Sequence, residues 1–309
     1  MNRRMILQSA AVAASATGFG AGTEAAMAGA PSARRAKPFI EAADGTQLFY
    51  RDWGHGEPVV FAHAWALSSD IFEYQMSFLA EHGMRCIAYD KRGHGRSTDT
   101  GQAYDFDTLA DDLASVIDEL DLNNVTLVGF SMAAGEVARY LTRHGASRVA
   151  RVVLTSPNTP APAKKPDNPD GTDPTLYESF VTGIMSDRPA FYASGLWMFF
   201  GKEGKGAEAS PSMQQWVLSQ FMQASPRAAI ECIRALKDSD FRPDMASFTM
   251  PTLVIQGDAD VLANIDKTGR KTVAAIPGSR LIVYEGGPHG LLVTERERFN
   301  RDLLAFIGG

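Results

Sequence analysis

The sequence predicts an α/β protein: a mostly parallel eight-stranded sheet flanked by helices, with a small helical cap insertion. Three observations carry this. Short, nearly continuous β-branched apolar runs recur along the chain, as strands buried on both faces require. Segments of helical apolar spacing alternate with them, and parallel strands need such crossovers. The alternation then lapses over one long stretch without a strand-like run.

Taken in order, the chain opens on "MNRRMILQSAAVAASATGFGAGTEAAMAGA". Arg3 and Arg4 precede a weakly apolar, Ala-rich stretch that ends in two small-x-small sites, Ala26-Met27-Ala28 and Ala28-Gly29-Ala30. This resembles a twin-arginine export signal, so residues 1–28 are expected to be cleaved on the way to a periplasmic or secreted location. Residues 29–37, with Pro31 and three basic side chains, read as a linker, and 38–309 as the folded domain.

That domain begins with "PFIEAADGTQLFYRDWG", two strands around an Asp44-Gly45 turn. The buried runs follow: "PVVFAHA", "RCIAYD", "NVTLVGF", "VARVVLTS", "TLVIQGD" and "RLIVYEG". Between them lie helical patterns such as "FDTLADDLASVIDELDL", where Phe106, Leu109, Leu113, Val116, Ile117 and Leu120 share one face. The lapse runs from about 157 to 248; it opens with Pro- and Asp-rich loop sequence and then carries helical segments. A cap inserted there would cover the carboxyl edge of the sheet, where open α/β sheets bind ligands. Trp197, Phe199, Phe200 and Trp216 are the expected lining of an apolar pocket beneath it, with Phe221 beside them.

Several function classes are disfavoured. The net charge is −6 and no basic stripe interleaves with aromatics, so nucleic acid is not expected as a partner. Beyond the amino terminus no uncharged stretch approaches transmembrane length, so no membrane partner is expected after signal cleavage. Cys86 and Cys232 lie in a strand and a helix pattern and read as two buried thiols. No histidine or carboxylate cluster has metal-ligand spacing, so no metal is expected. "DKRGHGRS" lacks the Gly-Lys-Ser/Thr ending of a phosphate loop; Arg92 and Arg96 read as structural. His55, His82, His94 and His144 read as loop or surface histidines. A homo-oligomer stays open.

One constellation carries chemistry. Ser131 follows the run "VTLVGF", Asp260 follows "TLVIQGDA", and His289 follows "RLIVYEGGP". Serine, acid, histidine, each just past a strand, is the chain order of serine hydrolases on such a sheet. A hydroxyl is a weak nucleophile until a base takes its proton as it attacks, and histidine titrates in the right range to do so. A carboxylate then fixes the imidazole tautomer. Asp258 is the nearby rival acid; Asp260 lies past the strand's last turn and is preferred, leaving Asp258 to bond loop backbone. The other common acid position, after "VVLTSPN", holds no carboxylate. Acyl transfer also needs two N–H groups at the developing oxyanion, expected from Met132 and Trp65.

With "FAHAWALSSDIFEYQM", "AYDKRGHGRS", "GFSMAAGE", "CIRALKDSDFRPDM", "PTLVIQGDADV" and "YEGGPHGLLVT", the chain resembles α/β-hydrolases related to bacterial aryl esterases and cofactor-free haloperoxidases, or perhydrolases. The resemblance runs from about Pro38 to the carboxyl terminus. It implies Ser131, Asp260 and His289 as a triad, Trp65 and Met132 at the oxyanion hole, a compact cap, and no metal or organic cofactor. The chain departs from the family beside the site. Ala64 stands where glycine usually precedes the tryptophan, Ala133 and Ala134 replace glycines, and "VLANI" follows the acid where Val-Pro is common. Perhydrolase-like members often carry proline at the position of Ala66, which tilts the expectation toward ordinary ester hydrolysis.

The expected function is therefore cleavage of small carboxylic esters, aryl esters or lactones, through an acyl-enzyme. Perhydrolysis with haloperoxidase activity is the near alternative, and carbon–carbon bond hydrolysis by the same triad a third. A non-catalytic binding protein on this fold stands behind these. Dehalogenases and epoxide hydrolases use a carboxylate nucleophile, which Ser131 argues against.

Overall fold

The computed structural model describes residues 38–201 and 209–309; the expected export signal and linker lie outside them. Strands β1 (Phe39–Glu41) and β2 (Gln47–Gly54) form an antiparallel hairpin. Its turn is held by Asp44 Oδ1, which accepts the Thr46 N–H at 3.0 Å, with Gly45 at φ +86°. The remaining strands are β3 (Pro58–Ala62), β4 (Arg85–Tyr89), β5 (Val125–Phe130), β6 (Val149–Thr155), β7 (Thr252–Gly257) and β8 (Arg280–Tyr284). They form one eight-stranded sheet in the order β1-β2-β4-β3-β5-β6-β7-β8. β2 runs antiparallel to both neighbours, and every pairing from β4 to β8 is parallel.

Helices cover both faces. They are α1 (Glu73–Glu81), α2 (Phe106–Glu119), α3 (Ala133–His144), α4 (Pro174–Phe200), α5 (Pro211–Phe221), α6 (Pro226–Asp238), α7 (Gly269–Ala275), α8 (Leu291–Thr294) and α9 (Arg296–Gly308). Successive strand residues point to opposite faces, so each central strand feeds two cores. Leu127, Val152 and Val254 pack with Leu113, Ile117 and Val137 of α2 and α3. Val128, Val153 and Ile255 pack with Met76, Leu79, Phe299 and Leu303 of α1 and α9. All six residues of β5 are buried, which explains its uninterrupted apolar sequence.

Among the described residues, three cap helices, α4, α5 and α6, lie between β6 and β7. Their starts are legible locally: Ser210 and Ser225 accept the N–H groups of Met213 and Ala228, and Pro211 and Pro226 open the first turns. Helix α4 is broken at Asp187, whose φ of −150° and ψ of 86° are not helical. Pro189 cannot donate to the preceding turn, so the ladder stops there. The Asp187 side chain accepts the Ala190 N–H at 3.0 Å and caps the second arm.

Because the central strands are parallel, their carboxyl ends share one edge. Trp65, Ser131, Asn158, Asp260 and His289 follow β3, β5, β6, β7 and β8 there, five adjacent strands.

Candidate active site

Ser131 sits at the turn between β5 and α3 with φ +57°, a left-handed conformation that non-glycine residues rarely adopt and that stores about 1–3 kcal/mol. The turn is clamped: Ser131 N–H donates to Thr155 O at 2.8 Å, and Ala134 N–H to Ser131 O at 2.9 Å. It also needs a close approach. A Cβ on Gly129 would lie 2.9 Å from the Ala133 carbonyl oxygen, so only glycine lets α3 start this near the strand. Alanine is accommodated at 133 and 134, both fully buried.

The serine meets the other two residues. His289 Nε2 lies 2.9 Å from Ser131 Oγ, and His289 Nδ1 lies 2.8 Å from Asp260 Oδ2. Asp260 Oδ1 accepts the N–H groups of Leu262 and Ala263 at 2.9 and 2.8 Å, which orients the carboxylate. An acceptor at Nδ1 keeps the proton on that nitrogen and leaves Nε2 to accept from the serine. All three residues are buried. Ser156 Oγ donates to His289 O at 3.0 Å, and the ring packs on Phe130 and Phe199 at centroid distances of 5.2 and 6.3 Å. Asp258 Oδ1 instead accepts the Gly286 N–H at 2.7 Å and braces the loop that carries the histidine. Gly257 is required beside it, since a Cβ there would fall 1.9 Å from Gly287 O.

Across the serine, neither the Trp65 N–H nor the Met132 N–H donates a hydrogen bond among the described residues, and both residues line the same cavity as Ser131. Met132 precedes the first residue of α3, where helix geometry leaves N–H groups unused. The Trp65 peptide is set by His63, a residue that sequence reasoning missed. Its Nδ1–H donates to Ala64 O at 2.8 Å, and its Nε2 accepts the Lys91 N–H at 2.9 Å. The C=O and N–H of a trans peptide point opposite ways, so anchoring the Ala64 carbonyl aims the Trp65 N–H away from the imidazole. Burial, then the nearby Lys91 charge, holds the His63 pKa well below its ordinary value, so the ring is neutral.

His94 lies in a loop, one of the two places expected for it, but not at the surface: it is fully buried, and burial pulls its pKa down to about 4. The segment "DKRGHGRS" turns inward because Gly93 and Gly95 take positive φ and Asp90 accepts from Ser69 N–H and from Arg96. Arg92 is buried against Asp112 through two hydrogen bonds of 2.7 and 2.6 Å. Cys86 and Cys232 are both unpaired and buried.

Beneath the cap lies a cavity of about 90 Å³ that touches Ser131 and His289. Of the five aromatics expected there, Phe199 and Phe221 line it, and Trp197, Phe200 and Trp216 do not. Helical geometry explains the correction. Phe191, Tyr192, Gly195, Met198 and Phe199 form one stripe of the second arm of α4, and Trp197 falls outside it, 45% exposed. Phe200 is buried beside Phe199, away from the cavity, and Trp216 packs edge-on against Tyr74 at 6.0 Å. Leu176, Tyr177 and Phe180 of the first arm, with Phe221, complete the apolar, largely aromatic wall. Among the described residues that line it there is no Asp, Glu, Lys or Arg. Asn158, also missed, lines the cavity, with its Oδ1 2.9 Å from Ser131 Oγ.

Fold and site together define a hydrolase-type α/β protein. The family profile for the alpha/beta hydrolase fold matches residues 57–197. A non-heme chloroperoxidase of Kitasatospora aureofaciens is 40% identical over 87% of this chain and 99% of that protein. A bifunctional esterase/perhydrolase of Acinetobacter calcoaceticus is 36% identical over 87% of this chain and 99% of its own length. The solved structure of an esterase from Exiguobacterium antarcticum superposes with a TM-score of 0.84 at 34% identity, covering 88% of this chain and 99% of that one. The chain belongs to the α/β-hydrolase fold family, in the group of non-heme haloperoxidases and esterases.

Proposed function

We propose that this protein is a serine hydrolase that cleaves small, neutral carboxylic esters, aryl esters or lactones among them, through an acyl-enzyme. The observation that carries the reading is the hydrogen-bonded chain Ser131–His289–Asp260, with the serine held at positive φ on the wall of a cavity whose described lining has no Asp, Glu, Lys or Arg. Ser131 Oγ attacks the ester carbon while His289 Nε2 takes its proton; the imidazolium is stabilised by Asp260 and returns the proton to the leaving alcohol. The Trp65 and Met132 N–H groups receive the oxyanion, each worth roughly 3–4 kcal/mol in the transition state. Water then releases the acid by the same steps in reverse.

The lining supports a neutral substrate, because a charged acyl or alcohol group would be desolvated there without a partner. An ester panel tests this. Turnover of a neutral p-nitrophenyl ester and rejection of an equally sized acyl group bearing a carboxylate are expected, and the reverse preference would sink the substrate class. Perhydrolysis is the second reading, favoured by the relative described as a bifunctional esterase/perhydrolase. It requires peroxide to replace water in deacylation, and running the panel with and without hydrogen peroxide separates the two. A periplasmic or secreted location is part of the proposal and is supported by the twin-arginine pattern at Arg3 and Arg4. Fractionating the producing cell, with mass mapping of the mature amino terminus, tests it.

A further inference from the structure

At Ser131 the site presents more acceptors than protons. Asn158 Oδ1 and His289 Nε2 each lie 2.9 Å from Ser131 Oγ, and both accept. A serine hydroxyl carries one proton and can satisfy only one of them. Once the serine is acylated its oxygen carries none, and both acceptors lose their donor. A water molecule has two protons. Placed at the acyl carbon, it donates one to His289 Nε2 and the other to Asn158 Oδ1.

Topology puts this second acceptor on the side where it is useful. Asn158 follows β6 and Trp65 follows β3, and these two strands flank β5, which carries Ser131. The oxyanion donor of the Trp65 loop and the Asn158 carboxamide therefore stand on opposite sides of the nucleophile. His289 and Asp260 follow β8 and β7, on the Asn158 side, where the second nucleophile must meet the base. The segment is also held firmly: Ser156 N–H donates to Ile255 O at 2.9 Å, Ser156 Oγ bonds His289 O, and Thr159 is buried and bonded to Thr272.

We propose that Asn158 is a water-positioning residue for deacylation, accepting the second proton of the water that His289 activates. The inference rests on the serine hydrolase reading above. In the step, the water oxygen forms a bond to the acyl carbon and one water proton passes to His289 Nε2. The C–Oγ bond then breaks and His289 returns that proton to Ser131 Oγ. The proton bonded to Asn158 stays on the released acid.

The test measures acylation and deacylation separately in purified enzyme with a p-nitrophenyl ester. The p-nitrophenol burst reports acylation, and intact-protein mass spectrometry after rapid mixing reports the lifetime of acyl-Ser131. Asn158→Leu, which removes the acceptor at similar volume, is expected to lengthen that lifetime so that the ratio of deacylation to acylation rates falls about tenfold. kcat and KM then drop together while kcat/KM changes little. An unchanged ratio, or a loss confined to acylation, overturns the role. Asn158→Ala replaces the leucine variant if that one does not fold, as judged by fluorophosphonate labelling of Ser131. A wild-type protein that neither forms the acyl adduct nor takes the fluorophosphonate overturns the hydrolase reading itself. A labelled, turning-over wild type with an unaltered variant ratio overturns only the role of Asn158.

Discussion

Asp260 binds His289 with one carboxylate oxygen and the backbone of its own loop with the other: Oδ2 takes Nδ1–H at 2.8 Å while Oδ1 takes Leu262 and Ala263 N–H. The carboxylate is thus fixed before it fixes the ring. Asp260→Asn offers an amide donor in place of an acceptor, which pushes the imidazole proton onto Nε2, where it faces the serine proton. A kcat lower by on the order of 10⁴, with the burst phase slowed equally, is expected from stopped-flow assays. A loss under tenfold would mean that tautomer control does not matter here.

On the proposed mechanism Ser131→Ala removes the nucleophile of a triad that acts as a unit, so turnover should fall by roughly 10⁶. The positive φ gives a second signature. Alanine is as strained there as serine while glycine is not, so Ser131→Gly should unfold at a higher temperature than Ser131→Ala, measured by calorimetry.

His63 acts through the peptide it anchors. In His63→Ala the Lys91 N–H loses its partner in a fully buried place, costing about 1–3 kcal/mol, and the Ala64 carbonyl keeps only the longer 3.4 Å bond from the Leu67 N–H. The Trp65 N–H also loses its aim. On the proposed role of that N–H as an oxyanion donor, which serves the transition state more than the ground state, kcat should fall, by up to about 10², with KM nearly unchanged. Steady-state kinetics well below the melting temperature check this, and a rise in KM alone would contradict it.

Two buried neutral histidines set an acid limit on stability. The folded-state pKa of His94 is about 4 and that of His63 lies well below its ordinary value of 6.5, in both cases because burial disfavours the charged ring. As pH falls below about 6.5 the unfolded chain binds protons that the folded chain refuses. Stability is therefore full above that pH and is lost as pH drops toward 4. The slope is about 1.4 kcal/mol per pH unit for each ring. Below that, Asp44, lowered to about 2 chiefly by its Arg92 hydrogen bond, adds a further loss between about 3.8 and 2. Urea midpoints at pH 7.5 and 5 should differ accordingly, and equal midpoints would refute the assignment.

What could be read along the chain was local. A buried strand writes itself as a β-branched run and a half-buried helix as a 3.6-residue repeat, so the sheet, its crossovers and the stretch without strands were legible in the sequence. Ser131, Asp260 and His289 stood out because each closes a strand run. Tertiary structure decided the rest. Which aromatics reach the cavity depends on the rotation of α4 after its break at Asp187, and periodicity cannot distinguish Phe199 from Trp197 before that break is known. The burial of His63 and His94, and the meeting of Asn158 with Ser131 across 27 positions, come from strand ends brought side by side in the sheet. Such contacts arise from how strands pair rather than from any residue's neighbours in the chain, so no stretch of sequence announces them.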